Sequence, residues 1–121
     1  MCGMQPAEYF ADSPAAFAIH RKVEAAVSDN GKAEIRVSQS QIGFYRKRAF
    51  AATWRPDKYL TGDHASLILS VYLVRRDTSS RWKEIVEPAP DRFTHHVELR
   101  SSDDVDDFIR TRLDEAWRSA G

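Results

Sequence analysis

The feature that most constrains this chain is the stretch from residue 32 to residue 56, where apolar and polar side chains alternate with period two, together with the apolar segment that follows it at 66–75. The alternation predicts strands over 34–38, 41–46 and 49–55, and the apolar segment predicts a strand over 66–75. The last of these has two apolar faces, which places it near the centre of a sheet. A fifth strand is predicted over 93–100. Because no helical pattern separates the first four, neighbouring strands are expected to pair antiparallel.

An amphipathic helix is predicted on each side of these strands. The first spans 13–29, with Ser13 as its cap, Pro14 in its first turn and Asn30-Gly31 as its stop. The second spans 102–118 and begins at Ser101 or Ser102. The resulting fold class is α+β, with a single antiparallel sheet of about five strands and both helices packed on one face. Residues 1–121 form one domain, in which 1–8 are expected to be flexible and 76–92 have no predicted conformation.

Charge and cysteine content narrow the class of protein. Eighteen basic and eighteen acidic side chains cancel, which argues against a general binder of nucleic acid or anionic membrane. The single cysteine, Cys2, excludes an intramolecular disulfide and favours a reducing compartment. The first residues lack a signal-peptide pattern, and no apolar run approaches the roughly 20 residues of a membrane span. We therefore expect a cytoplasmic protein with no membrane association.

Two adjacent histidines in "DRFTHHVELR" are the most conspicuous candidates for chemistry. Since successive strand side chains point to opposite faces, the two cannot hold one metal ion unless a bulge turns one of them. His95 lies on the apolar face and is predicted to be a core histidine bonded to a backbone carbonyl or a carboxylate. His96 is predicted to lie on the opposite, solvated face with Tyr45, Thr53 and Tyr72.

The segment "YRKRAF" places Arg46, Lys47 and Arg48 at the predicted turn between the second and third strands. Beside Tyr45 and Phe50, three cations would grip phosphates and leave aromatic rings for stacking, as in single-stranded nucleic-acid binding. The favoured alternative is a solubilising turn that protects strand edges from association.

Other patterns argue against several kinds of site. Neither HExxH nor HxH spacing occurs among the histidines, and no glycine-rich phosphate loop or GxSxG motif is present. We therefore predict no metal site and no cofactor. Trp54 and Trp117 fall on predicted core faces, whereas Trp82 is expected to be the freer tryptophan.

Four segments carry a resemblance to a known family: "YFADSPAAFAIHRKV", "VSQSQIGFYRKRAFAATWRP", "SRWKEIVEP" and "FTHHVELRSSDDVDDFIRTRLDEAW". From about Tyr9 to Trp117 the chain resembles the bacterial domain-of-unknown-function family 5655. That family has a similar Arg-x-x-Phe-Ala stretch and a similar His-His-Val strand followed by an acidic helix. The resemblance implies a binding or interaction module, since such domains occur alone or at the C-terminal end of larger proteins. At fold level the chain is also similar to YjbR-like families, some of which are described as DNA binders.

The leading hypothesis is a non-catalytic binding module whose partner is a protein or small ligand, with nucleic acid less favoured. A homodimer is expected if a sheet edge or apolar patch stays exposed. The alternative is a small enzyme that uses His96 or His95 as an acid–base residue in a pocket on the sheet. A concave pocket with His96 hydrogen-bonded to an orienting group would indicate the enzyme, and a flatter patch rimmed by the basic turn the module. The candidate ligand-binding residues are Tyr45, Arg46, Lys47, Arg48, Thr53, Tyr72, His95 and His96.

Overall fold

Antiparallel pairing organises the molecule around one sheet. The computed structural model describes residues 6–10, 13–38, 41–55, 67–90 and 92–120. Within them the strand order is β1-β2-β3-β4-β6-β5, and every neighbouring pair is antiparallel. The strands are β1 (Glu34–Val37), β2 (Ile42–Tyr45), β3 (Ala49–Trp54), β4 (Leu67–Leu73), β5 (Glu84–Ala89) and β6 (Arg92–Leu99). This confirms the α+β class and the single antiparallel sheet.

Three helices accompany the sheet in the described residues: α1 (Pro6–Tyr9), α2 (Pro14–Asn30) and α3 (Asp107–Ser119). The first lies partly within the stretch 1–8 that was expected to be flexible. Helix α2 follows Ser13, whose side chain makes no capping bond, and ends where Gly31 adopts φ 149°. A Cβ at Gly31 would clash with the Trp117 ring, so this site also needs glycine for space.

The second predicted helix is corrected at its start. Ser102–Asp104 form a 3₁₀ turn, and α3 begins only at Asp107. Asp106, rather than Ser101 or Ser102, caps α3 by accepting a hydrogen bond from the Ile109 amide at 3.2 Å. Serine and aspartate are both strong capping residues, so composition could not choose between them.

The strand count is also corrected, from about five to six. Strand β5 lies in the segment 76–92 that had no predicted conformation, and it pairs along the outer side of β6. Nearly all of its side chains are exposed, and Pro88 interrupts it. An edge strand tolerates proline and buries little, so it carries no alternating apolar pattern that sequence analysis could detect.

The core lies between the helices and one face of the sheet. Helix α2 contributes Ile19 and Val23, and α3 contributes Ile109 and Leu113, all of them buried. The facing strand residues are Ile42, Phe44, Ala51, Leu69, Val71, Val97 and Leu99. The opposite sheet face therefore remains available to form a site.

Strand β3 presents its faces differently from the prediction, which put Trp54 on a core face and Thr53 on the opposite one. A register shift beside Phe44 and Tyr45 makes a bulge, and Phe50 packs against Phe44 in the core with ring centroids 6.4 Å apart. Beyond the bulge, Ala52 and Trp54 lie on the face away from the helices. The prediction was wrong because both faces of "AFAATW" are apolar and a bulge resets the alternation.

Candidate functional site

The sheet face away from the helices brings together one row of functional side chains. Ser70 at the middle of β4 is the register partner of His96 on β6 and of Ala52 on β3. Tyr72 stands two residues further along β4, opposite Thr94. Since residues two apart share a face, these side chains line one surface.

This surface forms part of a concave pocket of about 430 Å³. Its sheet wall is made by Trp54, Ser70, Tyr72, Thr94 and His96, and the C-terminal end of α3 closes one side. The volume lies in the range of small-molecule sites, which are usually apolar clefts with a few convergent polar groups.

A hydrogen-bonded relay runs through the pocket wall. The Trp54 Nε1–H donates to Ser70 Oγ at 3.3 Å, and Ser70 Oγ lies 2.7 Å from His96 Nδ1. Ser70 is buried and makes no other side-chain hydrogen bond within the described residues, so we assign its proton to donation toward Nδ1. A neutral His96 then carries its proton on Nε2, which forms no hydrogen bond within the described residues. With this assignment, the relay orients the ring and sets its tautomer.

Burial determines the protonation of the pocket's titratable groups. It lowers the pKa of His96, with the charge of Glu84 on the neighbouring strand acting in the opposite direction. It raises the pKa of Tyr72, as does the nearby Tyr45. At neutral pH the pocket therefore presents an uncharged imidazole and an uncharged phenol.

Two arginines supply the charge at the pocket. Arg48 and Arg92 line it, and no aspartate or glutamate does so among the described residues. Arg48 donates through Nη2 to the Ser119 carbonyl at 2.7 Å. Arg92 is exposed and makes no ion pair within the described part of the chain. The pocket thus has a positive character that suits an anionic ligand.

The basic turn is held by α3. Arg46 lies 3.8 Å from the centre of the Trp117 ring and donates to the Trp117 carbonyl at 3.2 Å. The Lys47 amide donates to the Ala120 carbonyl at 3.1 Å, and Arg48 bonds Ser119 as described. The turn thereby satisfies carbonyls that a helix leaves unpaired at its C-terminus, where positive charge also complements the helix dipole.

Two of the candidate residues lie on the other sheet face. Thr53, expected beside His96, is buried beneath the helices because it pairs with Leu69. Its Oγ1 lies 2.9 Å from Nδ1 of the buried His20, whose Nε2 contacts Glu24 at 2.5 Å. The prediction for Thr53 was wrong because the two faces of β3 had been assigned the wrong way round.

His95 is buried on the helix face, and this confirms that the histidine pair is divided between two faces. Its Nε2 accepts from the backbone amide of Asp77 at 2.9 Å, where a carbonyl or carboxylate partner had been expected. Its Nδ1 is buried and makes no hydrogen bond within the described part of the chain. Burial lowers the pKa of His95, although the carbonyls of Val71 and Phe93 act to raise it. His95 contributes to the core rather than to the pocket.

Sequence reasoning missed Ser70 and Arg92, and it exchanged the roles of two tryptophans. Trp82, expected to be free, is buried and donates through Nε1 to Asp77 at 2.8 Å, whereas Trp54 lines the pocket. Ser70 is the one polar residue in the apolar run "LILSVYL", and a lone serine in a buried strand is the signal that could have marked it. Arg92 gave no such signal.

The described residues contain no cluster of three or more histidine, cysteine, aspartate or glutamate side chains able to hold a metal ion. Within the same residues, no helix is long and apolar enough to cross a membrane.

Comparison with known protein families shows which family the chain belongs to. The family model described as "Domain of unknown function (DUF5655)" matches residues 7–120. The chain belongs to this family. No curated protein and no solved structure shows a significant match. The similarity to YjbR-like proteins therefore has no support from a solved structure, and the site has to be interpreted from its own geometry.

Proposed function

We propose that this DUF5655 domain binds a small organic molecule in the pocket on the open sheet face. The observation that carries the proposal is the Ser70–His96 bond of 2.7 Å inside a concavity of about 430 Å³. A polar pair oriented in advance beside aromatic walls reduces the entropy lost when a ligand is bound. The proposed module thus binds in a pocket, whereas the expectation from the sequence was a flatter patch for a module and a pocket with an oriented His96 for an enzyme.

The polar pair is also supported by its burial. Ser70 is 3% exposed, and breaking its bonds to Trp54 and His96 would leave buried polar atoms unpaired. The side chains are therefore held in position before any ligand arrives. Binding needs only this arrangement and the pocket, whereas catalysis needs in addition a reacting group placed against it.

A thermal-shift screen of metabolites and nucleotides tests the proposal. A ligand at about 100 times its dissociation constant should stabilise the folded state by about 2.7 kcal/mol, which raises the melting temperature by several degrees. The matched variants are Thr94→Trp, which fills the pocket wall, and Thr78→Trp at an exposed position outside it. The shift should persist in Thr78→Trp and vanish in Thr94→Trp. Equal shifts in all three proteins would place the ligand elsewhere.

Catalysis is the second candidate, favoured by the same pair. A serine hydroxyl 2.7 Å from an imidazole nitrogen has the geometry of a nucleophile beside its base, and the pocket and anchored His96 match what an enzyme requires. A fluorophosphonate probe, which reacts with activated serines, should then label the wild-type protein and not Ser70→Ala. Equal labelling of the two proteins, or none, would contradict a nucleophilic Ser70.

Binding of nucleic acid through Arg46, Lys47 and Arg48 stays a prediction, and the contacts favour it least. Arg46 and Arg48 contact the end of α3, whereas the Lys47 side chain makes no hydrogen bond to the residues that the structure describes. A loss of affinity for a short oligonucleotide in Lys47→Ala, with a weaker dependence of binding on salt, would support nucleic-acid binding.

A further inference from the structure

The pocket has a different recognition group at each end, and together they define a class of ligand. We propose that it takes an aromatic carboxylate with a hydrogen-bond acceptor at the end opposite the carboxylate. Arg92 would hold the carboxylate, and His96 Nε2 would donate to the acceptor. This inference rests on the proposed function, because it specifies what the same pocket binds.

The charged end is set by Arg92. Period two along β6 places Arg92, Thr94 and His96 on one face, with the Cα atoms of Arg92 and His96 about 13 Å apart at roughly 3.3 Å per residue. Arg92 has no acidic partner within the described residues, and Arg48 adds a second positive charge. A guanidinium fork binds a carboxylate through two parallel hydrogen bonds, which a neutral amide cannot reproduce.

The middle of the pocket is suited to a ring. Trp54 and Tyr72 line it from the sheet, and the Trp54 and His96 rings meet edge to face with centroids 6.3 Å apart. Aromatic rings pack on one another in offset or edge-to-face geometry, so these walls are suited to a planar aromatic ligand.

The polar end is set by the relay. Since Ser70 donates to His96 Nδ1, the imidazole offers its remaining proton at Nε2 and can only donate there. A carbonyl oxygen is therefore matched at this end, and a methyl group in its place would leave the donor unpaired.

Three probes of nearly equal shape separate these elements: 4-acetylbenzoate, 4-acetylbenzamide and 4-isopropylbenzoate. The amide removes the charge, and the isopropyl group removes the acceptor. Calorimetry should show 4-acetylbenzoate binding about tenfold more tightly than either of the others, since one charge-assisted or one otherwise unpaired hydrogen bond accounts for such a factor.

Two variants assign each preference to its residue. Arg92→Gln should abolish the preference for the carboxylate over the amide, and His96→Phe the preference for acetyl over isopropyl. Arg76→Gln, at an exposed arginine outside the pocket lining, is the matched control and should keep both. Retention of the carboxylate preference in Arg92→Gln would overturn the assignment.

A second measurement uses the wild-type protein and so does not require any variant to fold. Long-range ¹H–¹⁵N NMR of the wild-type protein should show His96 with an unprotonated Nδ1 and a protonated Nε2. The opposite tautomer would overturn the proposal.

The binding outcomes separate this inference from the proposed function. If the three probes bind equally, the ligand class is wrong and the proposed function stands. The same holds if the three probes do not bind while another compound binds the wild-type protein and not Thr94→Trp. If no compound binds the pocket, both fail.

Discussion

The carboxylate of Asp77 joins three parts of the chain, and Asp77→Asn tests how far burial strengthens an ion pair. Its Oδ2 accepts from Trp82 Nε1 at 2.8 Å and from Arg112 Nε at 2.9 Å, and its Oδ1 lies 3.6 Å from Arg75. Asparagine keeps the shape and one carbonyl oxygen. It removes the charge and turns two donors toward a site where the described partners of the carboxylate, Trp82, Arg112 and Arg75, are all donors.

The expected cost follows from the exposure of the two partners. The Asp77 and Arg112 side chains are 10% and 22% exposed. Removing one partner of a buried pair costs about 3–5 kcal/mol, and the partial exposure of Arg112 places this case near 3 kcal/mol. At an unfolding entropy of about 2.1 cal/mol/K per residue, the 121 residues should then lose about 12 °C in melting temperature.

Asp114→Asn is the matched control, because Asp114 also accepts from an arginine Nε at 2.9 Å, in this case Arg118. Here the side chains are 35% and 74% exposed, and the loss should be about 0.3–0.5 kcal/mol. Urea unfolding of both variants measures the difference. Equal losses, both below about 1 kcal/mol, would refute the idea that burial makes the Asp77 pair strong.

The same comparison has a pH signature. Burial acts to raise the pKa of Asp77, but hydrogen bonds from Trp82 and Arg112 outweigh it and hold the pKa below its usual value. The stabilisation is therefore present above the unfolded pKa of about 3.9 and is lost as the pH falls through the lower folded pKa. The gap between the wild-type protein and Asp77→Asn should be constant near neutral pH and should close in acid.

Three further predictions test other contacts. Gly31→Ala should cost about 2 kcal/mol of unfolding free energy in urea, because of its positive φ and the clash of the new Cβ with Trp117; an unchanged midpoint would contradict this. Arg46→Ala should cost about 1 kcal/mol by the same assay through loss of its contacts to Trp117, more than a substitution of an exposed arginine such as Arg76. Because burial lowers the pKa of both His95 and His96, stability should fall as the pH drops below the unfolded value of about 6.5, by up to about 1.4 kcal/mol per pH unit for each histidine. Stability that is flat between pH 7.5 and 5 would exclude that linkage.

Helices α2 and α3 and five of the strands could be predicted because each carries its own periodic signal, whereas α1 lies partly in the stretch 1–8 that was expected to be flexible. Strand β4 was expected over 66–75 and spans Leu67–Leu73, and α2 was expected over 13–29 and spans Pro14–Asn30. Strand β5 could not be found in this way, because an exposed edge strand containing Pro88 has no buried face to leave a pattern. The periodic pattern of apolar residues in a sequence therefore reveals only those strands and helices that have a buried face.

The candidate site was predictable only in part. Tyr72 and His96 were expected on one face because alternation within a strand is local, and both line the pocket. Ser70 and Arg92 were not predicted because their roles depend on which residues of the neighbouring strands and of α3 lie beside them. The basic turn "RKR" was visible in the sequence, but its docking on α3, 71 residues away, was not.

The sequence by itself determined the α+β class, the antiparallel pairing and the division of His95 and His96 between two faces. These follow from backbone geometry, since side chains alternate along every strand and strands without intervening helices turn back on themselves. The tertiary structure alone decided which face β3 turns toward the helices, because a bulge at Phe50 resets the alternation there. It also decided the Ser70–His96 bond, which joins residues 26 apart in the chain. That bond depends on the register between β4 and β6, and the packing of the whole sheet sets this register.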